Sequence, residues 1–208
     1  MDQPPKTMIS VTDLCFSWPE RPLFDQLSFD VPAGVSLVVG DDGVGKSTLL
    51  ALLAGALSPH SGRMLIEGIG HLEQPDAYRQ NVFWIDPHTD VHNAITANDF
   101  LKRQDEQFPH FDSRRVASLV HGFSLEPHMV KPLYMLSTGS RRKVWWVAAF
   151  AANAPVVLLD QPFAALDAPS SRFLRELLDE AAEHTNRAWL LADHGVPQGV
   201  QPKAVIEL

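Results

Sequence analysis

A glycine-rich segment with one lysine and two hydroxyl residues carries the clearest chemistry in the sequence. Its nine residues, GDDGVGKST, fit the phosphate-binding pattern G-x-x-x-x-G-K-[ST]. Glycines permit a close backbone approach that a Cβ atom would block, so successive N–H groups can face phosphate oxygens. The Lys46 ammonium is expected to reach the β- and γ-phosphates, and the Ser47 hydroxyl to ligate Mg²⁺. The predicted nucleotide contacts are Gly40, Asp41, Asp42, Gly43, Val44, Gly45, Lys46, Ser47 and Thr48.

A second candidate is an aspartate at the end of a continuous apolar run. The segment VVLLD, residues 156–160, is typical of a strand buried on both faces of a parallel sheet. A carboxylate at such a strand end can hold Mg²⁺ directly or through water. We therefore predict that Asp160 joins Ser47 in a metal site; an ordinary surface aspartate at a strand end is the alternative.

The elements that would position these residues alternate between strands and helices. Strands are predicted at MISVTDL from Met8, LFDQLSFDV from Leu23, VSLVV from Val35, RMLIE (63–67), VFWI (82–85), VVLLD (156–160), AWLLAD (188–193) and AVIEL (204–208). The glycine-rich loop lies between VSLVV and a helix, STLLALLAGAL, which ends near Gly55. Another helix is predicted at 170–184, and the pattern between 96 and 153 is helical. This alternation predicts an α/β layered core with a helical insertion.

The composition is that of a folded soluble protein. Of 208 residues, 45% are apolar and 20% charged, and the net charge of −8 disfavours nucleic acid as a partner. The longest apolar run, residues 144–152, is far shorter than the roughly 20 residues of a membrane span. The single cysteine, Cys15, and a start, MDQPPKTMIS, without the pattern of a signal peptide favour the cytoplasm. Membrane association is therefore expected only through a partner.

The order of motifs resembles the ATP-binding subunits of ABC transporters over essentially the whole chain. GDDGVGKST matches the Walker A motif and VVLLD matches Walker B. LSTGS, residues 136–140, matches the signature pattern L-S-G-G-Q. Ala165, Leu166 and Asp167 match the D-loop, and His194 matches the switch histidine. Within that family, the short length and the stretch YRQNVFWIDPHTDVHNAITANDF are most similar to the ATPase subunits of cytochrome c maturation haem exporters.

The resemblance implies one ATP-binding domain over residues 1–208. Its fold would be a P-loop NTPase (RecA-like) α/β core with an N-terminal antiparallel β subdomain and an inserted α-helical signature subdomain at about residues 89–152. ATP and Mg²⁺ would be its cofactors. Hydrolysis would power a separate transmembrane permease, placing the protein on the cytoplasmic face of the membrane.

The resemblance also implies a head-to-tail homodimer, or a heterodimer with a second such subunit. Each nucleotide would lie between one Walker A motif and the signature of the partner. If Ser137 begins a helix, its hydroxyl and the positive helix end can meet the γ-phosphate; a plain helix N-cap is the alternative. The implied contacts of this half-site are Ser137, Thr138, Gly139, Ser140 and Asp167.

Two further residues match family positions that touch the nucleotide. Trp18 falls where the family stacks an aromatic ring on adenine, although a tryptophan that only packs is equally compatible with the sequence. His194 follows AWLLAD at the carboxyl end of a strand, the edge where open α/β sheets bind ligands, and is expected to reach the γ-phosphate. A surface histidine at a strand end is the alternative.

The residue after the Walker B aspartate departs from the family, where glutamate serves as general base. Here it is Gln161, whose amide cannot accept a proton at neutral pH. Losing a positioned base typically slows a reaction by about 10²–10⁴-fold. Gln161 is compatible with an introduced substitution that traps the ATP-bound pair, with catalysis by another group or subunit, or with a regulator of little turnover.

The glutamine of the family's Q-loop is also missing. In FWIDPHTD the pattern puts His88 at that position, with Asp86 as the neighbour if the register is shifted by two. An imidazole can still ligate a metal or donate a hydrogen bond, and a solvated loop histidine is the alternative. His88 and His92 have helical spacing for a metal pair, but Pro87 favours a loop and no third ligand is evident.

Other classes of nucleotide-binding protein fit less well. A soluble ABC ATPase of DNA repair or translation usually carries coiled-coil insertions or tandem cassettes, which 208 residues do not accommodate. A GTPase should contain N-K-x-D, which the sequence lacks, and a P-loop kinase would leave LSTGS unexplained. The transported substrate is not encoded in these motifs.

Overall fold

The computed structural model describes residues 6–19 and 21–208, so half of the N-terminal segment considered above, residues 1–5, lies outside it. The chain divides into two units. The core unit contains the described residues up to Trp84 together with Pro155–Pro162 and Leu178–Leu208. The helical unit contains Ile85–Ala154 and Phe163–Leu177.

The described part of the core unit holds two sheets, two complete helices and the end of a third. In chain order its elements are β1 (Thr7–Trp18), β2 (Arg21–Pro32), β3 (Gly34–Val39), α1 (Lys46–Leu53), β4 (Ser61–Ile66), β5 (Ile69–Gly70), α2 (Pro75–Gln80), β6 (Val82–Trp84), β7 (Val156–Asp160), β8 (Ala188–Asp193) and β9 (Val205–Glu207). The first sheet is antiparallel, in the order β2-β1-β4-β5. The predicted N-terminal antiparallel subdomain is confirmed.

The second sheet is parallel and has the strand order β6-β7-β8-β3-β9. Strand β7 is buried along its whole length and β8 along all but its last residue, as expected for apolar runs covered on both faces. Since β3 pairs with β8 and β8 with β7, the carboxyl ends of these three strands meet at one edge. The predicted α/β class is confirmed, and this edge carries the glycine-rich loop, Asp160 and His194.

One hydrophobic core joins the two sheets and α1 of the core unit. Leu14 of β1, Leu49 of α1 and Leu158 of β7 are all almost fully buried within it. Tyr78 of α2 donates its hydroxyl to the Leu53 carbonyl at 2.9 Å, and burial raises the pKa of this phenol. The core therefore holds α1 against the parallel sheet.

The helical unit is built from α3 (Ala97–Gln107), α4 (Ser113–Gly122), α5 (Thr138–Ala151) and the beginning of α6 (Ala168–Ala182). Each of the first three helices begins at a side-chain cap, supplied by Thr96, Asp112 and Ser137. Helix α5 packs against α3 and α4. The helical subdomain predicted at about 89–152 falls within this unit; that residues 1–208 act as a single domain stays a prediction.

Helix α6 differs from the sequence-based expectation by two residues at each end. It was expected at 170–184 and spans Ala168–Ala182, because Pro169 is compatible with the first turn of a helix. In the part of the chain that the structure describes, no helix is both long and apolar enough to cross a membrane.

Candidate nucleotide-binding site

An open pocket of the core unit lies beside the loop that connects β3 to α1. It brings together residues that are far apart in the sequence: the end of β1, the start of β2, the glycine-rich loop and the residue after β7. The lining residues are Trp18, Arg21, Leu23, Asp42, Gly43, Gly45, Lys46, Ser47, Thr48 and Gln161. Gly40, Asp41, Val44 and Asp160 do not line it. Trp18 is 46% exposed, so part of its side chain is accessible to a ligand, and its ring centroid lies 5.2 Å from that of Phe16 in an edge-to-face arrangement.

The backbone of the glycine-rich loop requires glycine at its close contacts with β2. Gly45 precedes α1 with a φ of 113°, in the left-handed region that disfavours other residues. A Cβ atom there would lie 3.0 Å from the Phe24 ring and 3.4 Å from the Leu23 side chain. The antiparallel sheet therefore packs directly on the loop and holds its shape.

Lys46 is held inside the curve of this loop. It is only 6% exposed, and its ammonium donates to the carbonyls of Gly40 at 2.6 Å and Asp41 at 2.7 Å. The positive charge of Lys46 therefore lies near the N-terminus of α1, where the helix dipole adds positive potential. Asp41 and Asp42 are both exposed, and Asp42 lines the pocket.

The end of β7 supplies an acidic residue and an amide. Asp160 is 7% exposed, and α1, whose first turn carries Ser47, packs against β7. A carboxylate and a hydroxyl are the oxygen ligands that Mg²⁺ prefers, so this donor set suits that ion. Gln161 has a φ of 44°, and its N–H donates to the Ala192 carbonyl of β8 at 2.8 Å. This backbone hydrogen bond to β8 holds Gln161 in a strained backbone conformation, and its side chain lines the pocket.

His194 follows β8 and reaches the glycine-rich loop. Its Nε2 lies 3.6 Å from Oδ1 of Asp42, and its backbone N–H donates to the Asp193 carboxylate at 2.8 Å. Both side chains of the His194 and Asp42 pair are exposed, so their attraction depends on protonation of the imidazole and is screened by salt.

The signature and D-loop segments meet within the helical unit. The Ser137 hydroxyl accepts from the Ser140 N–H at 3.1 Å and caps α5, while Thr138 beside it is exposed. Lys143 donates to Asp167 at 2.6 Å, and the Ser170 N–H donates to the same carboxylate at 2.8 Å. These hydrogen bonds hold the pKa of Asp167 well below its usual range, and the bond from Lys143 has the largest effect. The Asp167 carboxylate therefore caps α6 and ties it to α5.

Gly139 should not tolerate alanine. An added Cβ would lie 2.3 Å from the Ala165 carbonyl of the D-loop, far inside contact distance. Alanine favours a helix by about 1 kcal/mol over glycine, but overpacking against backbone costs about 1–3 kcal/mol and should dominate. We expect Gly139→Ala to lower the thermal unfolding temperature by several degrees. Gly195→Ala is the matched control because, among the described residues other than its two chain neighbours, no atom lies within 4 Å of the added Cβ. An equal loss in both variants would contradict the steric argument.

The segment after β6 forms a loop that α5 anchors, as Pro87 suggested. His88 is exposed, and its backbone N–H donates to the Asp86 carboxylate at 2.8 Å. Arg141 of α5 donates to the Asn93 side chain at 3.1 Å. The His92 ring packs on Phe100 instead, and burial, followed by the charge of Arg103, lowers the pKa of that imidazole. Over residues 6–19 and 21–208, no three His, Cys, Asp or Glu side chains cluster as a metal site.

Sequence reasoning missed two of the lining residues. Arg21 and Leu23 belong to β2 and approach the loop only because the antiparallel sheet packs on it. Neither has a motif of its own, so no local signal could have assigned them.

A glycine-rich loop between a parallel strand and a helix, beside an acidic strand end, defines a P-loop nucleoside-triphosphate-binding protein. Among sequence families, the ABC transporter family matches residues 24–164. The cytochrome c biogenesis ATP-binding export protein CcmA of Legionella pneumophila (strain Paris) is 32% identical over 90% of this chain and 92% of that protein. The corresponding protein of Escherichia coli O157:H7 is 30% identical over 88% and 86%. The chain therefore belongs to the ABC transporter family, as its ATP-binding, ATP-hydrolysing component.

Solved structures agree with this assignment. The ATP-binding subunit of an ABC transporter superposes with a TM-score of 0.82 at 25% identity, covering 90% of this chain and 80% of that chain. A bacterial Atm1-family ABC exporter with ATP bound has a TM-score of 0.80 at 20% identity, covering 98% of this chain and 37% of that one. The second likeness is one of fold alone.

Proposed function

We propose that this protein is the energy-coupling ATPase of an export system of the cytochrome c biogenesis type. The observation that carries the proposal is the pocket in which Trp18, the glycine-rich loop and Gln161 meet, in a chain similar to export ATPases over nine-tenths of its length. ATP-driven closure of two such subunits would power a separate permease. The protein would then sit peripherally on the cytoplasmic face of the membrane.

The residues of the core unit divide the work of binding ATP and Mg²⁺. Trp18 stacks on the base, and Lys46 with the loop N–H groups binds the phosphates. Ser47 and Asp160 would hold Mg²⁺, which would neutralise phosphate charge. His194 donates to the γ-phosphate, and Gln161 orients the attacking water without accepting its proton.

The helical unit supplies the second half of the sandwich in this proposal. The exposed N-terminus of α5, with Ser137, Thr138, Gly139 and Ser140, meets the γ-phosphate of the partner's nucleotide, with Asp167 beside it. His88, at the Q-loop position, is proposed to approach the metal and the attacking water. The Asp167 carboxylate stays bound to Lys143, which keeps the D-loop close to the signature helix.

Exposed apolar side chains on two neighbouring segments of the helical unit support docking of a membrane partner. They are Val91, Val130, Tyr134 and Met135. Its two segments are joined by a backbone hydrogen bond from Tyr134 to Asn93 at 3.1 Å. Exposed apolar side chains on neighbouring segments are candidates for an interaction surface, and a permease that presents an apolar segment would cover them.

The test of the sandwich is its dependence on the γ-phosphate. In sedimentation velocity, saturating ATP with Mg²⁺ should convert the monomer to a dimer, because only a triphosphate can be contacted from both sides. ADP at the same saturation is the control and should leave the monomer. A monomer that persists under saturating ATP would count against head-to-tail pairing.

A second function is favoured by Gln161 alone. Without a carboxylate at this position the protein would bind ATP and pair, yet turn over slowly, as a regulator would. The rate of ATP hydrolysis by the wild-type protein separates the two, because an energy-coupling ATPase must turn over ATP and a regulator need not.

A further inference from the structure

Arg21 reaches the glycine-rich loop from the first residue of β2. Its Nη2 donates to the Gly43 carbonyl at 2.7 Å, and the guanidinium lines the pocket with Trp18 and Lys46. A guanidinium has five N–H donors in a rigid plane. The bond to Gly43 uses one of them, so the group is oriented by the loop and still has donors to offer a ligand.

The carboxylates near the pocket would repel an anionic ligand, so a second cation beside Lys46 would favour binding. Its described lining contains two cationic side chains, Arg21 and Lys46, and one carboxylate, Asp42. Asp41 lies exposed on the same loop. Lys46 donates to two loop carbonyls, and the whole chain has a net charge of −8. A nucleoside triphosphate is a polyanion, and Arg21 is the second cationic side chain of this lining that can offset the repulsion from these carboxylates.

We propose that Arg21 is a further nucleotide-contacting residue that donates to the phosphate chain. The Gly43 carbonyl holds the guanidinium in place, and charge-assisted hydrogen bonds run from its free donors to phosphate oxygens. This inference rests on the proposed ATP site and adds a selectivity for the more highly charged nucleotide. Arginine suits such a position because its planar group matches phosphate geometry.

The test compares nucleotide affinity in three variants by titration calorimetry at several salt concentrations. Arg21→Gln keeps an amide that can still donate to Gly43 but removes the charge. We expect the Kd for ATP with Mg²⁺ to rise about tenfold or more, as for loss of a hydrogen bond to a charged group. The Kd for ADP should rise less, and affinity should depend less steeply on salt. Arg21→Lys should recover part of the loss.

The matched control is Arg63→Gln. Arg63 lies on β4 of the same unit, pairs with the exposed Glu73 and does not line the pocket, so its loss should leave nucleotide affinity unchanged.

Two results would overturn the role of Arg21. One is wild-type affinity and salt dependence in Arg21→Gln. The other is weaker binding with an unchanged salt dependence and an unchanged ratio of ATP to ADP affinity, which would mean that Arg21 only props the loop. If the wild-type protein itself binds no ATP, the proposed function fails instead, so the two failures are distinguishable.

Discussion

Replacing Gln161 by glutamate should raise the rate of ATP hydrolysis by about 10²-fold or more. The two side chains have nearly the same shape, so the shape of the pocket should persist. The backbone hydrogen bond from the N–H of residue 161 to the Ala192 carbonyl should persist as well. What changes is one acceptor, since a carboxylate can take the proton of the attacking water and an amide cannot. Phosphate release at saturating ATP with Mg²⁺ measures the gain.

Three controls make the Gln161 result interpretable. Gln161→Asn keeps an amide and tolerates the left-handed backbone at this position, so it should show no gain. The double variant Gln161→Glu with Lys46→Ala should lose the gained activity, which locates it in this pocket. ATP affinity of Gln161→Glu should stay level or fall slightly because a second carboxylate then faces the phosphates. An unchanged rate would mean that position 161 does not supply the base.

Replacing Lys46 by alanine should weaken ATP binding strongly. The ammonium is almost fully buried and held by the carbonyls of Gly40 and Asp41, so it is positioned before any ligand arrives. Removing it deletes the central positive charge of the loop and frees two carbonyls to repel phosphate. We expect an affinity loss of about 10²-fold or more, at the upper end for a charged hydrogen bond in a partly buried site.

Controls for Lys46 separate binding from folding. Lys102→Ala removes the same charge from the exposed face of α3 and should bind ATP normally. The unfolding temperature of Lys46→Ala without nucleotide shows whether the loop has collapsed. Tight ATP binding by a folded Lys46→Ala protein would refute the assignment of the glycine-rich loop as the phosphate site.

The sequence alone determined the elements whose signals are local. VVLLD and AWLLAD were predicted as buried parallel strands and are β7 and β8 with the same bounds, because a continuous apolar run is compatible with burial on both faces. Ser137 was predicted to begin a helix and caps α5, since its hydroxyl satisfies an N–H in its own first turn. The glycine-rich loop could also be identified from the sequence, because its motif, the preceding strand and the following helix are adjacent in the chain.

Only the tertiary structure decided which distant residues share the pocket. Arg21 and Leu23 join the loop because the antiparallel sheet packs on it, and this contact leaves no periodic pattern in the sequence. The pair of Lys143 with Asp167 has the same origin, since it joins two helices. Local hydrogen bonding and apolar periodicity repeat within a few residues, whereas contacts between sheets depend on packing across the whole core. The motifs therefore identified the phosphate loop from sequence, and the fold added the strand that holds it in shape.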